Sequence, residues 1–247
     1  MLFVVFLAVS TVTRLLVLRC CNETAREELS DQANNLLTGV SATFAFFVGF
    51  AISISWGAVT ASQSAVEQQA AAINQMAWEL RSVPDPGASA ALMNNLTTYA
   101  TTAAERDTHP LAHGNTTHLP SAGPLEEFQD ALSAYVYGPG SGVKGAPALL
   151  TTASELMSSS AGVSAVASRA LPRPMAALLF IVAVLVTIIL GITTVRSGRS
   201  SMVFVYMWCL IPALSLAVVL ALAFPFALRS GMTTAPLRAV AESLSTR

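Results

Sequence analysis

The sequence predicts an all-α integral membrane protein: four transmembrane helices, with a helical soluble stalk or cap between the second and third. Three observations carry this. Of the 247 residues, 53% are hydrophobic and only 11% charged, and the mean hydropathy is +0.60. A soluble domain has about a quarter of its residues charged. Four apolar runs are each about as long as the hydrocarbon core requires of a helix. Between the second and third runs, apolar residues recur at helical rather than strand spacing.

The first span covers residues 1–18. Arg14 lies inside it, close enough to one end for its guanidinium to reach the headgroups. A cleaved signal peptide is the competing reading. No basic segment precedes the apolar run, and Leu18-Arg19-Cys20 is a poor cleavage site, which favours a retained span. The second span covers 37–56, the third 175–195 and the fourth 202–226, all without a charged residue. Pro212 interrupts the fourth, removes one backbone hydrogen bond and marks a candidate kink.

The second span carries a further pattern. Ser41, Ala45, Gly49, Ser53 and Gly57 recur every fourth residue, a ladder of small side chains that lets another helix approach closely. The ladder serves either packing within the chain or a pore or subunit interface. In the second case the bulky neighbours Phe47, Phe50 and Ile54 form a candidate hydrophobic constriction. Phe44 stands on a flanking face.

Beyond the membrane the same helix continues. Val59, Val66, Ile73 and Leu80, with Ala70 and Ala77, form a heptad seam. One helix is therefore expected over 37–83, roughly 70 Å long at 1.5 Å per residue. Pro84-Asp85-Pro86-Gly87 ends it. The soluble segment, 84–172, holds a helix over 88–106 with Leu92, Leu96, Tyr99 and Ala103 on one face. A loop over 107–123 follows. Pro124 then opens a short helix, with Glu126 and Glu127 in its first turn and Phe128, Leu132 and Tyr135 as its apolar stripe. A last helix over 147–171 has Leu149, Leu156 and Val163 at heptad spacing. Residues 227–247 form a tail.

Chemistry is hard to find. His109, His113 and His118 are close in sequence, but Pro110 and Gly114 argue against a regular helix that would align them. A solvated loop is expected there, with no metal site. Glu105-Arg106-Asp107 reads as a solvated helix end. Nucleophile elbows, phosphate loops, dinucleotide fingerprints and zinc-protease motifs are all missing, so neither an enzyme nor a cofactor is expected. Without an ionisable residue deep in spans two to four, a proton relay is not expected. The net charge of −1 gives no field for nucleic acid. Cys20 and Cys21 are adjacent and read as free thiols at a helix end, with acylation as the alternative. A single lysine, Lys144, against abundant alanine points to a GC-rich bacterial genome, and hence to a bacterial plasma (inner) membrane.

Membrane orientation is a tie. Arg19, Arg26, Arg196 and Arg199 flank one face; Arg169, Arg173, Arg229 and Arg238 flank the other. The Arg196–Arg199 hairpin carries no acid, which favours the cytoplasm for it and the outside for the soluble helices.

The chain resembles the bestrophin-like domain family of bacterial membrane proteins, from span two to the tail. The residues carrying the likeness are Phe47-Val48-Gly49-Phe50-Ala51 leading to Trp56, and Ala65-Val66-Glu67-Gln68-Gln69-Ala70-Ala71-Ala72-Ile73. Leu171-Pro172, Val195-Arg196-Ser197, and Pro225-Phe226 with Gly231 shortly after complete the set. The chain departs from the family pattern at Gln69, where a second glutamate is usual, and at Ala223-Phe224, where Asp-Arg is usual. The resemblance implies a relation to bestrophins, pentameric anion channels with four spans per subunit and cytoplasmic soluble helices, the reverse of the orientation that the hairpin favours. It implies an ion-conducting homo-oligomer with span two lining the pore. An accessory subunit that holds other membrane proteins through the same ladder is the alternative.

Overall fold

The structure, a computed structural model, describes residues 1–113, 115–167, 172–196, 202–223, 226 and 234–246. Among these residues there is no strand. The helices are α1 (Leu2–Cys20), α2 (Glu23–Leu80), α3 (Pro86–Arg106), α4 (Thr108–Ala112) and α5 (Ala122–Tyr137), then α6 (Ala146–Ala167), α7 (Arg173–Thr193), α8 (Met202–Ala223) and α9 (Ala235–Ser245). A turn of 3-10 helix, Thr194–Arg196, extends α7. Of the features singled out in the sequence, Arg169, Leu171, Ser197, Arg199, Phe224, Pro225, Arg229 and Gly231 lie outside the described residues.

The chain forms two compact units, one from residues 1–56 and 171–223, the other from 57–170 and 224–247. The division falls within α2 directly after Trp56, where the second apolar span was expected to end.

In the first unit, α1 packs against α7 and α8, and α7 against α8. Its core joins Phe6, Phe44, Ala51, Leu179, Ala183, Val186, Leu216 and Val219. At one point α1 and α7 come very close. A Cβ added at Gly191 would stand 2.6 Å from the Ser10 carbonyl oxygen and 3.1 Å from Thr13 Cβ, so only glycine fits there. α8 runs through Pro212 as one helix, and Ala213 just beyond it is buried.

The expected start of the long helix was too late. α2 begins at Glu23, not Leu37, so most of the stretch between the first two expected spans is helical. This stretch is built of good helix formers without Gly or Pro, and Glu23 complements the dipole at its first turn. It is too polar to register as a span. Ser30, buried, donates to the Thr193 carbonyl at the end of α7 at 3.4 Å, and Arg26 donates to the Leu18 carbonyl at the end of α1. Both bonds satisfy carbonyls that helix ends leave unpaired.

In the second unit the heptad seam is buried as expected. Val59, Val66, Ala70, Ile73, Ala77 and Leu80 face inward from α2, and Leu149, Leu156 and Val163 from α6. α3 packs on α5 and α9, and α5 on α6. α2 ends at Leu80, three residues before the expected Val83. The Asp85 carboxylate then caps α3, accepting from the Gly87 and Ala88 amides at 2.8 and 3.2 Å, with Pro86 at the first position. The Ser89 hydroxyl donates back to the Leu80 carbonyl at 2.8 Å.

Other boundaries differ as well. α3 starts at Pro86, two residues ahead of Ala88, because Asp85 is the cap. α5 starts at Ala122 rather than Pro124, which moves Glu126 and Glu127 past the first turn. α8 ends at Ala223, and Phe226, assigned to the fourth span from its apolarity, is buried in the core of the second unit. The tail holds α9, whose Leu237, Val240, Ala241 and Leu244 are buried in that core.

Candidate functional site

Two places hold the residues singled out by sequence. The first is α2 in the first unit, where the helix has two faces. Phe44, Ala51 and Ser55 are buried, and Leu37, Val40, Phe47, Val48 and Ile52 pack partly against the same core. The opposite face is open. It presents Ala45, Phe46, Gly49, Phe50, Ser53, Ile54 and, one residue past the division, Gly57, all exposed within the chain. A Cβ at Gly49 or at Gly57 would meet nothing within 4 Å.

From Ala45 onward the small-residue ladder is therefore exposed within the chain, while Ser41 is half-buried. A four-residue step advances about 40° around a helix of 3.6 residues per turn. The stripe therefore begins half-buried at Ser41 and drifts into the middle of the open face by Ser53. A parallel row, Phe46-Phe50-Ile54, borders it. Of the three expected constriction residues, Phe50 and Ile54 are exposed (53% and 38%), whereas Phe47 is partly buried against the core. Phe46, 70% exposed and edge-on to Phe47 with ring centroids 5.8 Å apart, was not singled out by sequence. The same four-residue spacing from Phe50 points back to it.

The open face also differs in kind from its neighbours. α1 exposes Val4, Val5, Val12, Leu15 and Leu16, and α8 exposes Met207, Leu210, Ile211, Leu214 and Leu220. These are mostly large aliphatic side chains, suited to hydrocarbon, with Trp208 on α8 and Phe180 on α7 exposed beside them. The α2 face differs in setting Ala, Gly and Ser beside its row of Phe46, Phe50 and Ile54.

The second place is a buried polar cluster inside the second unit. Gln69 on α2 is buried and its amide donates to the Tyr99 hydroxyl on α3 at 2.6 Å. Ser160 on α6 bonds the same hydroxyl. Asp107, at the end of α3, is also buried; its carboxylate accepts from the Ser121 amide at 3.1 Å and from the Ser121 hydroxyl. A cavity of about 10 Å³, the size of one water molecule, is lined by Gln69, Asp107, Ser160, Phe226 and Thr234. Burial raises the Asp107 carboxyl above its ordinary range, and the two bonds from Ser121 pull it part of the way back. Burial likewise raises Tyr99, against the lowering effect of Ser160 and Gln69, while the Asp107 charge adds to the rise.

Asp107 overturns the expectation of a solvated helix end, although Glu105 and Arg106 are exposed as expected. The charged tripeptide concealed which of its members turns inward. An apolar residue four positions on (Leu111, buried) was the available signal. The expected loop over 107–123 is also partly helical. α4 occupies Thr108–Ala112 despite Pro110, because a proline in the first turn of a helix needs no amide partner. Nowhere among the described residues do three or more His, Cys, Asp or Glu side chains gather. Cys20 is exposed, Cys21 half-buried and Cys209 buried, each as a free thiol.

The model of the bestrophin-like domain family matches residues 4–233. No curated protein sequence matches the chain. Among solved structures, a bacterial bestrophin homologue from Klebsiella pneumoniae with one substitution aligns at a TM-score of 0.70 and 14% identity, covering 100% of this chain and 97% of that one. Another variant of it aligns at 0.71 and 13% identity, covering 99% and 94%. A structure described as a membrane protein aligns at 0.69 and 14%, covering 99% and 94%. At such identities the likeness shows the fold. With the family match over nearly the whole sequence and the apolar helices described above, the chain is an all-helical integral membrane protein that belongs to the bestrophin-like domain family.

Proposed function

We propose that the chain is the subunit of a homo-oligomeric ion channel in which the open face of α2 lines the pore. The observation that carries this is that face itself. One face of a membrane helix presents Ala, Gly and Ser beside a Phe-Phe-Ile row, whereas α1 and α8 present mostly large aliphatics. Small side chains leave room for close helix approach or a narrow aqueous path, and Phe50 with Ile54 supplies a neutral hydrophobic constriction. Four spans fit this reading: α1, the first part of α2, α7 and α8. α1, α2 and the Pro174–Thr193 part of α7 are each long and apolar enough to cross, and α8 has a shorter apolar stretch over Met207–Ala223. Anion selectivity, a pentameric assembly and a bacterial inner-membrane location extend the reading by family analogy. Among the described residues no constellation supports an enzymatic reading beside it.

An accessory role in a larger membrane complex uses the same face to hold a different partner helix. Loss of a charge usual in the family would favour that role, and Gln69 is one such departure. It sits in the core of the second unit, bonded to Tyr99, so the change from the family's glutamate alters a buried polar cluster and not the open face of α2. This weakens the accessory reading.

The test is the mass and composition of the particle extracted gently from its native membrane, followed by salt flux in liposomes. Several copies of this 25.8 kDa chain and measurable flux are expected. Recovery with other polypeptides in fixed ratio, and a silent particle in liposomes, would replace the channel with the accessory subunit.

A further inference from the structure

One turn of helix in the second unit sets two histidines side by side. α4 is short, yet it is fixed at both ends and underneath. The Leu111 amide donates to the Asp107 carbonyl at 3.0 Å, and the Asp107 side chain is held by Ser121. Leu111 is buried, while His113 and Asn115 amides both return to the Pro110 carbonyl at 3.1 and 3.0 Å. On the side away from Leu111, His109 and His113 are exposed one turn apart. Their rings lie against each other, with centroids 4.6 Å apart and planes inclined by 36°.

The second observation concerns the tautomer. His113 Nδ1 lies 2.8 Å from the His109 carbonyl oxygen. A carbonyl only accepts, so Nδ1 carries the proton, and in the neutral ring the lone pair is on Nε2. An imidazole whose second nitrogen donates to a backbone carbonyl is how proteins orient a metal-ligating histidine and raise its basicity. Two imidazoles four residues apart on a fixed turn can chelate one ion, and their preset geometry limits the ordering that binding would otherwise require.

We propose that His109 and His113 form an open two-histidine site for a divalent transition ion such as Ni²⁺, Cu²⁺ or Zn²⁺. Imidazole favours these ions over Mg²⁺ or Ca²⁺, which seek oxygen ligands. No third ligating side chain joins the pair among the described residues, so water fills the remaining positions. An ion there would bind the folded turn and not the unfolded chain, and so stabilise the second unit by mass action. The inference is independent of the channel reading.

Ni²⁺ binding to the untagged full chain in detergent tests it, by calorimetry and thermal unfolding. The background is Cys20→Ser with Cys21→Ser, which removes the accessible thiols as competing ligands. One ion per chain and a rise in the unfolding temperature are expected. His109→Ala and His113→Ala should each weaken binding by about tenfold or more and remove the thermal shift. His118→Ala should leave both unchanged. All three side chains are exposed, so the variants are expected to fold, which their unfolding temperature without metal checks. Absence of binding, binding that survives both substitutions, or equal loss in His118→Ala would each overturn the site.

Discussion

Asp107 shows how much one side chain can depend on its surroundings. Its carboxyl is buried and raised above the ordinary value of 3.8, chiefly by desolvation. The folded state therefore holds this proton to higher pH than the unfolded chain does. By linkage, the stability contributed by the protonated form is full below the ordinary value and is lost as pH rises through the raised one. Thermal unfolding followed through that window should show the second unit weakening as pH rises, and Asp107→Asn should flatten the slope while keeping an acceptor for the Ser121 amide. A slope that is unchanged in Asp107→Asn would show that another group sets it. Asp107→Ala should cost about 1–3 kcal/mol at low pH, because it leaves the buried Ser121 donors unpaired, and the cost should shrink as pH rises and the wild type loses its own contribution. Gln69 follows the same logic: a carboxylate in its place would have to share the interior with Asp107.

Helices are read from sequence by what they bury, and α2 shows both the strength and the limit of that reading. Its heptad seam was legible because burial has a period. Its first turns were not, because a polar helix that caps the ends of α1 and α7 carries no hydrophobic signature. The two kinds of glycine in the membrane helices make the same point. Gly191 sits where α1 and α7 nearly touch, so Gly191→Ala should destabilise the first unit by about 1–3 kcal/mol in thermal unfolding in detergent. Gly49 faces open space, so Gly49→Ala should leave that unfolding temperature unchanged or slightly higher. Gly49→Trp should leave the isolated chain folded but reduce the mass of the extracted particle, since the bulk falls where another helix would approach. Equal sensitivity at the two glycines would contradict the packing described here. Asp85→Ala belongs at this scale too: loss of the α3 cap should cost about 1 kcal/mol, read as a lower unfolding temperature.

For the whole molecule, the proposed channel needs more than one copy of the chain, since one open α2 face cannot enclose a path by itself. Phe50→Ala combined with Ile54→Ala should preserve the oligomer and raise salt flux in liposomes severalfold, if these side chains form the constriction. Unchanged flux with an intact oligomer would move the constriction elsewhere. By itself the sequence determined the helical class, the apolar runs, the heptad faces, the breaker at Pro84–Gly87, and the family. Each is encoded locally, in hydrophobic period, propensity or motif order. The tertiary structure decided which face of α2 is covered within the chain, that Phe226 belongs to the second unit, and that Asp107 turns inward to Ser121. It also decided that His109 and His113 share one fixed turn. A periodicity says that a face exists but not what covers it, and burial of a polar side chain depends on partners far away in sequence. Those are properties of packing, and they appear only when the helices come together.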